Sequence, residues 1–329
     1  MFKQPSYIFP LANIISVRNA SYLLLGTLVI VCLTGCKDGP KSTAETSMTD
    51  ITEPIGKIAF TSNRDGNKEI YLMAPDGNHL QNISQHPAME YGNSWSPNAS
   101  SIATYSNRDG NTEIYLLDLK GEPALRLTND PGEDVLPAIS PDGKKIAFMS
   151  NRNQKSRSLY LMKIDGSQAL ALTNNEAYEE SPSWHPSGKS LLFTRQLKEE
   201  NDTTYAANGE IFTFDLSTKI ATRVSHKVGY DSGAVYDPKG EKIAFYGPGE
   251  QSFDIFMMNP DGSEITNITK DTLDAYSPSW SPDGQWIAYT AGAQNNYDIY
   301  IIHLSTGERR QLTKTSIRNE HPSWAPANK

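Results

Sequence analysis

Residues 279–291 read SWSPDGQWIAYTA, and this stretch contains the pattern that decides the fold of the chain. A run that ends at Trp280 is followed by Pro282-Asp283-Gly284 and then by a second apolar run, WIAYTA, at 286–291. Proline presets φ at the start of a tight turn, and glycine accepts the positive φ that many such turns require. The stretch therefore predicts two antiparallel strands joined by a short turn.

The second of these runs recurs along the chain. Its copies start 44 or 45 residues apart, except for a spacing of 52 between the fourth and the fifth. They are KIAFTS at 57–62, SIATYS at 101–106, KIAFMS at 145–150, SLLFTR at 190–195, KIAFYG at 242–247 and WIAYTA itself. Short strands repeated at this period, with regular turn signals between them, are typical of a β-propeller.

Each repeat contains four strand-like runs, which predict one blade of four antiparallel strands. In the second repeat they are SWSP at 94–97, SIATYS at 101–106, EIYLL at 113–117 and LRLT at 125–128. The repeats begin at a second strand but end on a first strand, HPSWAP at 321–326. We therefore expect the C-terminal strand to complete the N-terminal blade. The prediction is an all-β, six-bladed propeller, closed so that the edges of its sheets are hidden.

The repeat resembles that of the TolB-type β-propeller, WSPDG followed by IAF and EIY motifs, over residues 56–326. The resemblance implies a binding role in the bacterial cell envelope. TolB proteins carry an α/β domain before the propeller, whereas only a short polar segment precedes it here. We expect a signal peptide at 1–35, a tether at 36–55 and a propeller at 56–329.

The N-terminal segment has the features of a lipoprotein signal. Residues 21–33 are almost wholly apolar, and they end in LTGC at 33–36. These four residues resemble the lipobox of bacterial lipoproteins, which implies cleavage before Cys36 and acylation of its thiol. Residues 37–55 are polar, as in a flexible tether. Lys37 follows the cysteine, and by the usual sorting pattern this indicates the outer membrane, without deciding the leaflet.

Composition and motifs favour a binding module over an enzyme. The formal net charge of −8 argues against nucleic acid, because phosphate binding needs clustered Lys and Arg. The chain contains no GxSxG elbow, no phosphate-binding glycine loop and no HExxH. The two NRDG copies, at 63–66 and 107–110, lack the alternating acids of a calcium loop. No cofactor is expected, apart from a divalent cation that acids in the central channel could hold.

Antiparallel meanders divide the loops between two faces of a propeller. Turns from first to second and from third to fourth strands emerge on one face, here called the turn face. Loops from second to third strands and links between blades emerge on the other, here called the linker face. The turn face carries tight Pro-Asp-Gly turns, whereas the linker-face segments are longer and more varied. We therefore expect function on the linker face.

Acids and tyrosines recur where the links enter the first strands, which should surround the central channel. The acids are Glu90, Asp134, Glu179, Asp231, Asp274 and Glu320, and the tyrosines beside them are Tyr91, Tyr178, Tyr230 and Tyr276. We expect them to ring one mouth of the channel and attract a cation or a basic peptide. Alternatively, the acids pair with Arg64, Arg108 and Arg152 of the neighbouring loops.

Two functional hypotheses follow. In the favoured one, a lipid-anchored propeller binds a protein or peptide partner at the channel mouth on the linker face. In the alternative, the channel houses a metal-dependent hydrolase or lyase that acts on a carbohydrate or lactone. Blade four carries about eight extra residues within 196–209, on the linker face. They could form a rim or lid, or they could be a tolerated insertion.

Replacing Cys36 with serine tests the lipoprotein prediction. Cys36→Ser removes the thiol that would be acylated, so we expect the variant to incorporate no labelled fatty acid in the expressing bacterium, whereas the wild-type chain incorporates it. Cys32→Ser, which changes a cysteine of the expected signal peptide, is the matched control and should remain labelled. Labelling of the Cys36→Ser protein would contradict the prediction.

Overall fold

The computed structural model describes residues 52–153, 156–197, 208–270, 272–315 and 317–327. The expected signal peptide, Cys36, the tether as far as residue 51 and residues 198–207 of the blade-four insertion lie outside this set. Among the described residues there is no helix long and apolar enough to cross a bilayer.

The described residues form six antiparallel sheets of four strands each. The first three blades are β24 (Asn319–Trp324), β1 (Ile58–Ser62), β2 (Glu69–Met73) and β3 (Gln81–Asn82); β4 (Glu90–Trp95), β5 (Ser101–Ser106), β6 (Glu113–Asp118) and β7 (Leu125–Arg126); and β8 (Asp134–Ile139), β9 (Lys145–Ser150), β10 (Ser158–Lys163) and β11 (Leu170–Ala171). The other three are β12 (Glu179–Trp184), β13 (Ser190–Gln196), β14 (Gly209–Asp215) and β15 (Ala221–Arg223); β16 (Ser232–Tyr236), β17 (Ile243–Pro248), β18 (Phe253–Met258) and β19 (Thr266–Asn267); and β20 (Asp274–Trp280), β21 (Trp286–Ala293), β22 (Asn296–His303) and β23 (Arg309–Gln311).

The predicted closure of the ring is confirmed. Strand β24 at the C-terminal end pairs antiparallel with β1, with Trp324 opposite Ile58 and Asn319 opposite Ser62. The C-terminal strand is thus the innermost strand of the first blade. Each sheet gains a neighbouring blade on both of its faces, which explains why the second strands read as unbroken apolar runs. In β1, for example, Ile58, Ala59 and Phe60 are all fully buried.

Every inner strand contains a β-bulge at the same place. The register with the second strand shifts there, and one residue has a left-handed backbone with φ between 52° and 67°. These residues are Gly92, Leu136, Ser181, Gly233, Ser277 and His321. The two glycines have a steric reason: a Cβ would lie 2.9 Å from the Tyr105 ring at Gly92 and 2.7 Å from the Tyr246 ring at Gly233. The bulges increase the local twist and turn these six residues towards the axis.

Tryptophans of the inner strands join neighbouring blades. Trp95, Trp184, Trp280 and Trp324 are at most 9% exposed. The Trp95 indole N–H donates to the Ser323 carbonyl oxygen at 2.9 Å, and that of Trp184 donates to Ala138 at 2.8 Å. Each bond runs from one inner strand to the inner strand of the preceding blade. This recurring tryptophan position therefore serves to pack one blade against the next.

A matched pair of tryptophan substitutions tests this contact between blades. We expect Trp184→Phe to lower the free energy of unfolding by about 1 kcal/mol more than Trp286→Phe does. Both indoles are buried, but the Trp286 N–H has no hydrogen-bond partner in the described part of the chain, so only Trp184→Phe removes a hydrogen bond. Urea denaturation of the purified protein measures both values. An equal loss in the two variants would contradict the assignment.

Candidate functional site: the central channel

The inner strands enclose a cavity of about 720 Å³ on the propeller axis. Its lining includes the six left-handed residues of the bulges and the following residues of each inner strand. At the turn face the lining reaches the prolines that follow the inner strands, which are Pro97, Pro141, Pro186, Pro238, Pro282 and Pro326. The sequence had assigned this face a structural role only. The cavity lining nevertheless extends to the turn face as well.

The predicted acids do not surround an open mouth. Glu90, Asp134, Glu179 and Asp231 are fully buried. Among the ten predicted site residues, all of them described, only Tyr91 belongs to the lining of the cavity. The acids stand at the ends of the inner strands, where the end of the second strand and the link from the preceding blade cover them. The structure therefore corrects the expectation that these acids form an open, negatively charged ring at the mouth of the channel.

The alternative interpretation of these acids, as partners of loop arginines, is confirmed for two blades. The Arg108 guanidinium donates to Glu90 Oε1 at 2.6 Å, and that of Arg152 donates to Asp134 Oδ2 at 2.5 Å. In the first blade Asn319 replaces the acid, and Arg64 Nη2 donates to its side-chain oxygen at 3.1 Å. In blade four the cation is Arg195, which lies on the second strand itself and contacts Glu179 Oε1 at 2.8 Å.

The remaining polar residues of the NRDGN copies also have structural roles. The Asp109 carboxylate accepts a hydrogen bond from the Tyr115 hydroxyl at 2.5 Å, and Asp65 accepts one from Tyr71. The Asn111 side-chain amide donates at 3.0 Å to the carbonyl oxygen of Gly132, in the link to the next blade. In both copies NRDGN therefore binds the loop between the second and third strands to the neighbouring link and to a residue at the start of an inner strand, which is Glu90 for one copy and Asn319 for the other.

Burial shifts the pKa values of several of these acids. Burial and, to a smaller extent, the nearby Glu210 carboxylate raise the pKa of Asp231 to about 7, against the opposing effect of Lys227, whose Nζ lies 3.6 Å away. Burial also raises the pKa of Glu90 and Asp134.

The other two predicted acids, Glu320 and Asp274, differ from each other in exposure. Glu320 is 5% exposed and accepts hydrogen bonds from Lys68, at 2.8 Å, and from Arg318, at 2.5 Å. Burial opposes ionisation of Glu320, but these two cations lower its pKa below the ordinary value. Asp274 is half-buried and accepts a hydrogen bond from the Phe253 backbone N–H at 3.1 Å.

Two of the predicted tyrosines, Tyr91 and Tyr276, contact other aromatic rings near the linker-face end of the channel, whereas Tyr178 accepts a hydrogen bond from Arg157 at 2.9 Å and Tyr230 donates one to Glu180 at 2.6 Å. Tyr91 lies 5.5 Å from Tyr105, and Tyr276 lies 5.3 Å from Tyr246, measured between ring centroids. Tyr105 and Tyr246 come from second strands, opposite the two glycine bulges, and were not singled out in the sequence because they fit the strand pattern. The bulge glycine in the same repeat is the signal that could have found them. Phe253 and Tyr297 also contact Tyr276, and His321 contacts Tyr91.

Glu180 is a functional candidate that the sequence analysis missed. It is half-buried and lines the cavity. Its Oε1 accepts hydrogen bonds from the Tyr230 hydroxyl at 2.6 Å and from the Ser232 hydroxyl at 2.8 Å. The predicted residue Glu179 directly precedes it and is buried instead, because successive side chains of a strand point in opposite directions. The described residues contain no group of three or more His, Cys, Asp or Glu side chains placed to hold a metal ion.

The fold and the channel define a six-bladed β-propeller with an axial cavity. A family model, the TolB beta propeller domain, matches residues 54–208 and 202–329, and the chain belongs to that family.

Similarity to individual proteins extends over different lengths. The Tol-Pal system protein TolB of Geobacter sulfurreducens is 43% identical over 47 residues, which are 14% of this chain and only 11% of that protein. The crystal structure of TolB from Acinetobacter baumannii has a TM-score of 0.71 at 23% identity, over 84% of this chain and 69% of that one. An oligogalacturonate lyase in complex with manganese has a TM-score of 0.51 at 18% identity, over 80% and 75%. These two structural likenesses show the fold alone.

The pH dependence of stability tests the burial of Asp231. Its pKa is about 7 in the folded protein against an ordinary value of 3.8, so between these pH values the folded chain holds a proton that the unfolded chain releases. The free energy of unfolding should therefore fall as pH rises from 4 to 7, by up to about 4 kcal/mol at 1.36 kcal/mol per pKa unit. Asp231→Asn should remove this part of the slope.

Chemical denaturation at several pH values measures the slope in both proteins. Glu122→Gln is the control, because Glu122 is exposed in a turn and its removal should leave the slope unchanged. An unchanged slope in Asp231→Asn would contradict the assignment.

Proposed function

We propose that this chain is a binding module of the bacterial cell envelope, and that its central channel receives a segment of a protein or peptide partner. The observation that carries the proposal is the cavity of about 720 Å³, lined by tryptophan, tyrosine and proline rings together with small polar residues. Binding sites are commonly concave and mostly apolar, with a few polar groups that fix orientation. Membership of the TolB propeller family supports a protein partner, since a relative is named as a component of the Tol-Pal system.

The proposed site lies inside the channel, whereas the sequence indicated the residues around its mouth. The buried carboxylates of Glu90, Asp134 and Glu179 accept hydrogen bonds from residues of the loops and links, and Asp231 is buried beside Lys227. Of the predicted tyrosines, Tyr91 remains part of the proposal because it belongs to the cavity lining, whereas Tyr178, Tyr230 and Tyr276 do not line the cavity. Backbone strain supports a role for the lining: Leu136, Ser181, Ser277 and His321 hold a left-handed conformation that costs a residue other than glycine about 1 kcal/mol or more.

We further propose that the chain is attached to the envelope by a lipid on Cys36, in the outer membrane. The support is the LTGC sequence at 33–36 after an apolar run, together with Lys37. The polar residues from 37 onward would let the propeller move relative to the membrane.

A channel enzyme is the competing function. The manganese-bound lyase has a related fold, but a likeness at 18% identity carries no catalytic residue across to this chain. An enzyme would release a modified product, whereas a binding module would retain its partner unchanged.

Filling the channel with one large side chain tests the proposal. Ser277 lines the cavity with φ 52°, and Leu136 shows that the equivalent position accepts a large side chain. We expect Ser277→Phe to abolish co-purification of the partner from native membranes without lowering the melting temperature by more than a few degrees. The matched control is Gln294→Phe, because Gln294 also has φ 52° but is exposed in a hairpin outside the cavity.

Recovered proteins are identified by mass spectrometry from membranes that contain the wild-type chain or either variant at equal amounts. Proteins that are retained by wild type and Gln294→Phe but lost in Ser277→Phe support the proposal. Identical recovery from all three would contradict it.

A further inference from the structure

The charged side chains of the channel lining are of one sign, and this sign indicates the charge of the partner that the proposed function requires. The described residues that line the cavity include no Lys or Arg. Two carboxylates are present among them, Glu180 and Asp237. The lining therefore carries negative charge with no cation of its own.

The two carboxylates differ in availability. Asp237 is 8% exposed, and its Oδ1 accepts hydrogen bonds from the backbone N–H groups of Glu241, at 2.6 Å, and Lys242, at 2.9 Å. It therefore closes the tight turn that follows β16. Glu180 is half-buried, and the two hydroxyls that it binds, those of Tyr230 and Ser232, are both directed to Oε1. A carboxylate can accept about four hydrogen bonds, so Glu180 retains capacity for a charged donor from the cavity.

Other residues of the cavity lining are suited to a cation. Tyr91 and Tyr246 line the same cavity, and aromatic faces attract cations. His321 also lines it, and burial lowers the pKa of this imidazole, so it is neutral at pH 7. Lys68, whose Nζ lies 4.2 Å from the Tyr91 ring centroid, is already paired with Glu320 and is not part of the lining.

We propose that the partner segment carries a lysine or arginine whose side chain enters the central channel and pairs with Glu180. This inference rests on the proposed function, since it names the chemistry of the group that the channel receives. Glu180 fixes one end of the partner through a charge-assisted hydrogen bond, and the tyrosine rings pack against the aliphatic part of the side chain. The tryptophan and proline rings towards the turn face accommodate the adjoining residues.

Selection from a library of random peptides displayed on phage tests the inference without knowledge of the natural partner. The purified full-length protein is the target, and Ser277→Phe protein serves to discard peptides that do not need the channel. We expect the remaining peptides to share a lysine or arginine.

Synthetic copies of these peptides are then titrated calorimetrically into wild type, into Glu180→Gln and into the matched control Glu176→Gln, which changes an exposed acid four residues away. The amide oxygen introduced by Glu180→Gln still offers an acceptor to both hydroxyls, so the melting temperature of this variant should stay near that of wild type.

A double-mutant cycle distinguishes a direct pair from general charge attraction. Replacing the basic residue of the peptide with glutamine should weaken binding to the wild-type chain about tenfold, and Glu180→Gln should weaken binding of the original peptide by a similar factor. The two changes together should cost no more than one alone, and Glu176→Gln should have no effect.

Two results would overturn the inference. If channel-dependent peptides lack a basic residue, or if the two losses add, Glu180 does not pair with a cation, while the proposed function stands. If every recovered peptide binds Ser277→Phe as well as wild type, the proposed function fails together with the inference.

Discussion

The pairing of the last strand with the first is the constraint on which the rest of this structure depends. Residues 319–324 and 58–62 are at opposite ends of the propeller sequence, yet they form adjacent strands of one blade. Their hydrogen bonds close the ring and hold six inner strands around one axis. Without closure there would be no enclosed channel. The Trp95 indole N–H donates to the Ser323 carbonyl oxygen and thereby links the second blade to the strand that closes the ring.

The channel surface follows from a second constraint, the bulge in every inner strand. A left-handed residue at each bulge faces the axis, and the side chain there is free to vary, from glycine through serine to leucine and histidine. Where glycine occupies the bulge, a tyrosine of the second strand lies over it, as Tyr246 does at Gly233. A repeated backbone thus presents different side chains from each blade, which allows a symmetric fold to build an asymmetric site.

The fold was predictable because its signals are local and repeated. The runs at 101–106 and 145–150 match β5 and β9 residue for residue, since strands covered on both faces read as unbroken apolar segments and Pro-Asp-Gly turns mark their ends. The site was predictable only in part. Spacing placed Glu179 at the start of an inner strand, but spacing alone does not say whether a neighbouring blade covers it. The structure buries Glu179 and leaves Glu180, the next residue, in the channel.

Entry of a partner segment into the channel is the central claim, and site-specific photo-crosslinking in living cells tests it most directly. A photoreactive phenylalanine at Ser181, in the channel lining, is compared with the same residue at Gln294, outside the cavity. We predict a discrete crosslinked product from position 181 and none from position 294. A product from position 294 with none from position 181 would show that partners bind the outer surface, and it would contradict the claim.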